Sequence, residues 1–143
     1  MSSSRIVVPD SSVLLKCVLE SHDEQDRGKA MEIRNAWLSG VLTIVVPHSW
    51  YFEVGNVLGM KQPALAAQFM EILTQYGFEE EPAGNVYRKA FDLMKRFNVT
   101  FYDAAYHSVA ISRSGTMITA DDVYYRKTSR AGHISLLQDW KSD

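Results

Sequence analysis

Four acidic residues of this 143-residue chain stand where carboxylates can meet: Asp10 in IVVPDSSVL, Glu53 in PHSWYFEVGNVL, Asp103 in TFYDAAYHSVA and Asp121 in MITADD. Each admits an ordinary structural role. Asp and Ser are what a helix start requires, so Asp10 or Ser11 reads as a cap, and so does Asp103 ahead of Ala-Ala-Tyr. Asp121 and Asp122 read as a turn after a strand, and Glu53 as an exposed acid on a helix edge. Against that last reading, Trp50, Phe52, Val54, Val57 and Leu58 surround Glu53 and leave its helix little polar face. A buried, unpaired carboxylate is costly unless a cation or hydrogen-bond donors compensate it. Asn56 follows Glu53 by three residues, as if lining the same polar pocket. Several carboxylates converging at one edge repel one another, and the usual remedy is a hard divalent cation with oxygen ligands, Mg²⁺ or Mn²⁺. Two such ions about 3.5–4 Å apart activate a water and stabilise the leaving oxygen of a phosphodiester, which is nuclease chemistry.

The acids need a scaffold that gathers them. Residues 5–8 and 43–46 are short β-branched runs, each closed by a proline, and suit strands buried on both faces of a parallel sheet. Residues 117–120 and 133–137 read as two more strands. Helical spacing covers 12–20, 24–38, 48–58, 63–76, 85–97 and 104–113, with a turn at 59–63. In the segment 85–97, Val86, Ala90, Leu93, Met94 and Phe97 form a single apolar stripe. Strands separated by helices indicate an α/β domain with a mainly parallel sheet and helices on both sides. Ligands of such sheets sit beyond the carboxyl ends of the strands, and Asp10 and Asp121 directly follow two of them. The length suits one domain, expected over 5–143 after a disordered leader at 1–4.

Bulk composition narrows the function classes. Fifteen Lys and Arg stand against 17 Asp and Glu, a formal net charge of −2, so no general field draws the chain to nucleic acid or to an acidic membrane. Any nucleic-acid site must be local. The apolar runs, such as 42–47, fall far short of a membrane span, and no apolar secretion segment opens the chain. A soluble, cytoplasmic protein is expected. A single cysteine, Cys17, excludes an internal disulfide and a cysteine-rich zinc site.

The motifs VVPDSSVLLK, VPHSWYFEVGNVL, TFYDAAYHSVA and MITADD resemble, in order and spacing, those of PIN domains, particularly the VapC-type toxins of toxin–antitoxin pairs. The resemblance extends from Arg5 to the closing HISLLQDW. It implies a three-layer α/β/α fold with a parallel central sheet and an Mg²⁺- or Mn²⁺-dependent ribonuclease whose metal-binding acids are Asp10, Glu53, Asp103 and Asp121. Ser12 and Thr119 match hydroxyl positions that hold the acids and their waters, and Asn56 matches a polar companion of the glutamate. Asp122 occupies a position where the family varies. The implied mechanism is hydrolysis by a metal-activated water, giving 5′-phosphate and 3′-hydroxyl ends. It needs no histidine, so His48, His107 and His133 are expected to be structural or at the surface; His107, four residues after Asp103, is the one placed to contact substrate. Lys16, Arg126, Lys127 and Arg130 are candidates for holding RNA phosphates, although 126–130 also reads as a solvated basic loop. The resemblance further implies a homodimer and an antitoxin whose tail crosses the active-site groove.

Two other classes share the α/β pattern. A phosphoacceptor receiver would need a further acid beside the first strand and a lysine after the last. A haloacid-type phosphatase would want Asp where Ser12 stands. A catalytically weak PIN-like RNA- or protein-binding scaffold is the remaining alternative, and the intact acid set argues against it.

Overall fold

The β-branched runs become the centre of the sheet. The structure, a computed structural model, describes residues 5–19 and 24–142; the expected leader at 1–4 and the end of the first expected helix at Glu20 lie outside the described residues. The elements are β1 (Arg5–Pro9), α1 (Ser11–Lys16), α2 (Glu24–Leu38), β2 (Leu42–Pro47), α3 (Trp50–Lys61), α4 (Ala66–Gln75), β3 (Glu79–Glu81), α5 (Tyr87–Phe97), α6 (Phe101–Ser112), β4 (Thr116–Thr119), α7 (Asp122–Thr128) and β5 (Ile134–Leu136). The strands lie in the order β3-β2-β1-β4-β5 and every pairing is parallel, with Val7 opposite Ile44 on one side and Thr116 on the other.

Val7, Val8, Val45, Val46, Met117 and Ile118 are all buried, without the alternation of a half-exposed strand. Only a sheet covered on both faces buries consecutive side chains in this way. α6 packs against β1, β2 and β4 with α5 against it, while α1 and α2 reach the sheet through β4 and β2, and α3 packs on α1 and α4. This is the expected α/β/α arrangement. The stripe on α5 is buried as its spacing predicts, with Met94 at its margin. No helix among the described residues is long and apolar enough to cross a membrane.

Several boundaries differ from the sequence expectation, each for a local reason. α6 begins at Phe101 because Thr100, not Asp103, is the cap: its Oγ1 accepts from the Asp103 N–H at 3.2 Å. α3 runs through Gly59 to Lys61, so the expected turn starts later, at Gln62. α5 starts at Tyr87, residues 83–85 forming a 3₁₀ turn instead. It stops at Asn98, whose left-handed backbone (φ 54°) turns the chain into α6 within three residues.

Two elements, β3 and α7, were not expected at all. β3 is three consecutive glutamates, poor strand formers, held at the sheet edge by Arg113, which bonds Glu79 and Glu81 at 2.7 Å each. The charge also guards that edge against pairing with another chain. Gly115 begins the approach to β4, and a Cβ there would lie 2.8 Å from the Ile6 carbonyl oxygen, so this turn needs a residue without a side chain.

Candidate active site

β1 ends on Pro9, and the next residue turns into α1. Asp10 caps that helix, accepting from the Val13 N–H at 3.2 Å. Its carboxylate is also the target of two hydroxyls, Ser12 on Oδ1 and Thr119 on Oδ2, each at 2.5 Å. Both hydroxyls have a second role. Ser12 Oγ accepts from the Ala120 N–H and Thr119 Oγ1 from the Asp121 N–H. The ends of β1 and β4 are thereby laced together, and Asp121 is fixed close to Asp10. Asp121 in turn caps α7 through Oδ1, which accepts from the Tyr124 N–H at 3.0 Å.

Glu53 comes from the first turn of α3 and is half-buried. Tyr106, fully buried on α6, donates its hydroxyl to Glu53 Oε1 at 2.9 Å, and nearby Ser11 also favours the charged form of this carboxylate. Asp103 stands one turn before Tyr106 on the same helix. The small side chains of Ala104 and Ala105, both buried, let α6 lie close to the sheet and bring Asp103 toward the strand ends.

The electrostatics tie the four together. Burial pushes the Asp10 carboxyl up to about 7, against the pull of Ser12, Thr119 and the Val13 N–H, and the charge of Asp103 adds to the rise. Burial likewise raises Glu53, opposed by Ser11 and Tyr106 and reinforced by Asp103. Asp103 is raised by burial and by Asp121, with Thr100 opposing. Asp103 thus feels all three of the others. Among the described residues none of the four acids pairs with a Lys or Arg. Nor does any group of three Asp, Glu, His or Cys side chains there stand as a ready-made site that could hold a metal ion. In chemical type, though not in preformed spacing, the donor set fits a hard divalent cation. It is all oxygen, it lacks internal counter-charge, and each cap occupies only part of a carboxylate's acceptor capacity.

A cleft of about 270 Å³ opens beside two of these acids, lined by Thr100, Asp103, Asp121, Tyr124 and Lys127 among others. Lys127 is therefore the basic candidate that reaches the site, its Nζ donating to the Asn98 carbonyl at 3.1 Å. The other candidates are placed elsewhere. Arg126 pairs with Asp122 at 3.1 Å on the exposed side of α7, and Arg130 lies over the Phe97 ring. Asp122 lines a neighbouring depression with Thr119 and Ala120. Lys16 is half-buried in the last turn of α1, and Asn56 is exposed one turn beyond Glu53. Phe52, read as part of an apolar surround for Glu53, is 62% exposed, whereas Trp50 and Val54 of the same surround are buried.

His107 is structural. It is fully buried, with Nε2 on the Gly132 carbonyl and Nδ1 on the Tyr124 hydroxyl, each at 2.8 Å. Nε2 must carry the proton to reach a carbonyl, so Nδ1 accepts from Tyr124, and burial keeps the ring neutral. Tyr106 is the contact of the candidate site that sequence reasoning missed. The available signal was the spacing of Tyr106 three residues after Asp103, on a helix otherwise read as core.

Comparisons with known proteins bear on the family and the fold. A family model described as the PIN domain matches residues 7–129. Among solved structures, a chain of a toxin–antitoxin complex from Klebsiella pneumoniae superposes with a TM-score of 0.66 at 13% identity, covering 92% of this chain and 97% of that one. A crystal structure from Pyrobaculum aerophilum gives 0.64 at 18% identity, covering 95% and 91%. At these identities both likenesses concern the fold. No curated protein matches.

Proposed function

Since the chain belongs to the PIN domain family, whose members are typically nucleases that use divalent metal ions, we propose that it is an Mg²⁺- or Mn²⁺-dependent endoribonuclease, the cytoplasmic toxin of a type II toxin–antitoxin pair. The observation that carries this reading is the set Asp10, Glu53, Asp103 and Asp121, without a Lys or Arg partner among the described residues and coupled through Asp103. These residues would hold the ion, which supplies an activated water and neutralises charge building on the phosphodiester. The chain's own groups set the geometry. Ser12, Thr119 and the Val13 N–H fix both oxygens of Asp10, so the carboxylate is oriented before substrate arrives. Tyr106 orients Glu53, and Lys127 offers a positive charge for a phosphate at the mouth of the cleft. An antitoxin partner is proposed from the same family placement and from the Klebsiella pneumoniae complex. Purified protein is expected to cleave single-stranded RNA with Mg²⁺ or Mn²⁺ and to stop in excess chelator; a gel assay with mRNA, tRNA and rRNA substrates tests this.

Tyr106 gives a milder check on the same site. Tyr106→Phe removes one hydrogen bond to Glu53 and leaves the ring in the core, so stability falls by only about 1 kcal/mol. Groups that orient a metal ligand typically matter by about 10–100-fold in metal affinity or activity. The Mg²⁺ concentration for half-maximal cleavage is expected to rise by such a factor, whereas a purely structural tyrosine would leave it unchanged.

Tyr51, Phe52 and Met60 on α3 and Ile72 on α4, together with Leu65 just before it, are exposed apolar side chains on two helices that pack on each other. We place the homodimer contact there, since patches of this kind mark interaction surfaces. Light scattering at micromolar concentration is expected to give twice the chain mass, and Phe52→Glu a single chain mass with the fold retained.

A further inference from the structure

The first turn of α6 separates two clefts. Thr100 and Asp103 line the polar one described above, while Phe101, between them in sequence, lines a second cleft of about 310 Å³. Its walls are mostly apolar: Pro47 at the end of β2, His48 and Ser49 leading into α3, Val86 and Tyr87 at the start of α5, and Phe101. None of the four acids lines it, but Ser49, just before α3, is one helical turn from Glu53, and Phe101 is two residues from Asp103 in the first turn of α6. Both clefts open at the same carboxyl edge of the sheet.

The second cleft combines flat rings with a hydrogen-bonding group in need of a partner. Tyr87 and Phe91 are exposed, and the Phe91 ring lies 5.4 Å from that of Phe101, which gives an aromatic surface continuous with the cleft. The Ser49 Oγ is buried and has no hydrogen-bond partner among the described residues. His48 holds Glu80 through Nδ1, which leaves Nε2 at the rim. Positive charge borders the rings, with the Arg88 guanidinium over Tyr87 at 5.6 Å and Lys89 exposed beside it. Rings that stack bases, flanked by cations that hold phosphates, are how proteins bind single-stranded nucleic acid.

We infer that this cleft receives one unstacked nucleobase of single-stranded RNA, from a nucleotide next to the phosphodiester held at the acids, and so sets a base preference beside the cut. The inference rests on the ribonuclease reading above. Base stacking on an aromatic side chain is typically worth about 5- to 150-fold in affinity.

The test begins with a pool of random-sequence single-stranded RNA, cleaved by wild-type protein in Mg²⁺ and sequenced at its new ends, which identifies the preferred nucleotide. An oligonucleotide carrying that sequence is then compared with one abasic at the preferred position. Wild type is expected to lose about tenfold or more in kcat/KM on the abasic substrate. Tyr87→Ala is expected to lose a similar factor on the intact substrate and little further on the abasic one. Ala83→Trp, a change at an exposed position lining the cleft, fills the space without removing a wall and is expected to erase the same preference. Wild-type cleavage whose preference and abasic penalty persist in both variants overturns the inference and leaves the ribonuclease reading standing. Variants that lose a protein partner while keeping wild-type RNA kinetics assign the cleft to that partner and likewise overturn it. No cleavage by wild type under any metal condition removes both.

Discussion

Asp10→Asn or Asp103→Asn is expected to reduce RNA cleavage by about a thousandfold or more in a protein that still folds. Metal-assisted stabilisation of a phosphodiester transition state is worth several kcal/mol, each 1.36 kcal/mol being a factor of ten in rate. Removing one of four ligating carboxylates weakens both the charge and the geometry that supply it. The substitutions spare the scaffold. Asn at position 10 retains an oxygen to accept from Val13, and Asn is as good a helix cap as Asp. At position 103 the contact that caps α6 uses the backbone N–H, which any residue provides. Single-turnover cleavage and a thermal melt on the same preparations separate the two effects. A folded double variant with wild-type activity would remove the acids from the chemistry.

The second large effect is on stability, and its sign follows from Asp10. In the fold this carboxyl titrates near 7, above its ordinary value of 3.8, chiefly because it is buried. Between about pH 4 and 7 the folded chain therefore holds a proton that the unfolded chain has released, so the Asp10 contribution declines as pH rises through that window. Below it both states are protonated and the contribution is level. The full span corresponds to at most about 4 kcal/mol. Glu53 and Asp103, also raised, act in the same direction, whereas the buried neutral His107 acts in the opposite one.

Comparing wild type with Asp10→Asn cancels the His107 contribution. In chelating buffer the melting temperature of the variant relative to wild type is expected to climb by several degrees between pH 5 and pH 7.5. Adding Mg²⁺ at pH 7.5 should reverse this. At about 100-fold above its dissociation constant the ion stabilises wild type by roughly 2.7 kcal/mol, and the variant by less. A difference that stays constant with pH, and no response to Mg²⁺ or Mn²⁺, would mean that Asp10 serves only as a cap.

That contrast also explains what could be read from the sequence. The central strands and the apolar stripe of α5 were legible because burial on both faces writes an uninterrupted β-branched run, and burial on one face writes a 3.6-residue period. β3 was not legible, since Glu79, Glu80 and Glu81 carry no strand preference. They become a strand only through Arg113, His48 and Trp50, residues distant in sequence that satisfy their carboxylates. α7 was hidden for a similar reason: seven residues beginning with Asp122 look like a basic turn until Asp121 caps them.

In the sequence, capping and site membership read as alternatives for the acids. In Asp10 and Asp121 capping leaves room for the second role, because a cap occupies one oxygen of a carboxylate and fixes its orientation. The support of Glu53 by Tyr106 was invisible because a tyrosine inside an apolar helix reads as core, and nothing in local spacing says which distant acid its hydroxyl will meet.

The central claim is that these carboxylates direct metal-dependent hydrolysis of RNA, and the chemistry of the new ends tests it most directly. Wild-type protein is incubated with end-labelled single-stranded RNA in Mg²⁺, in Mn²⁺ and in excess chelator, and the products are treated with enzymes that distinguish 5′-phosphate from 5′-hydroxyl ends. Attack by a water in line with the 3′ oxygen predicts 5′-phosphate and 3′-hydroxyl products that form only with the metal. Cleavage that persists in chelator and leaves 5′-hydroxyl ends with 2′,3′-cyclic phosphates would contradict the account.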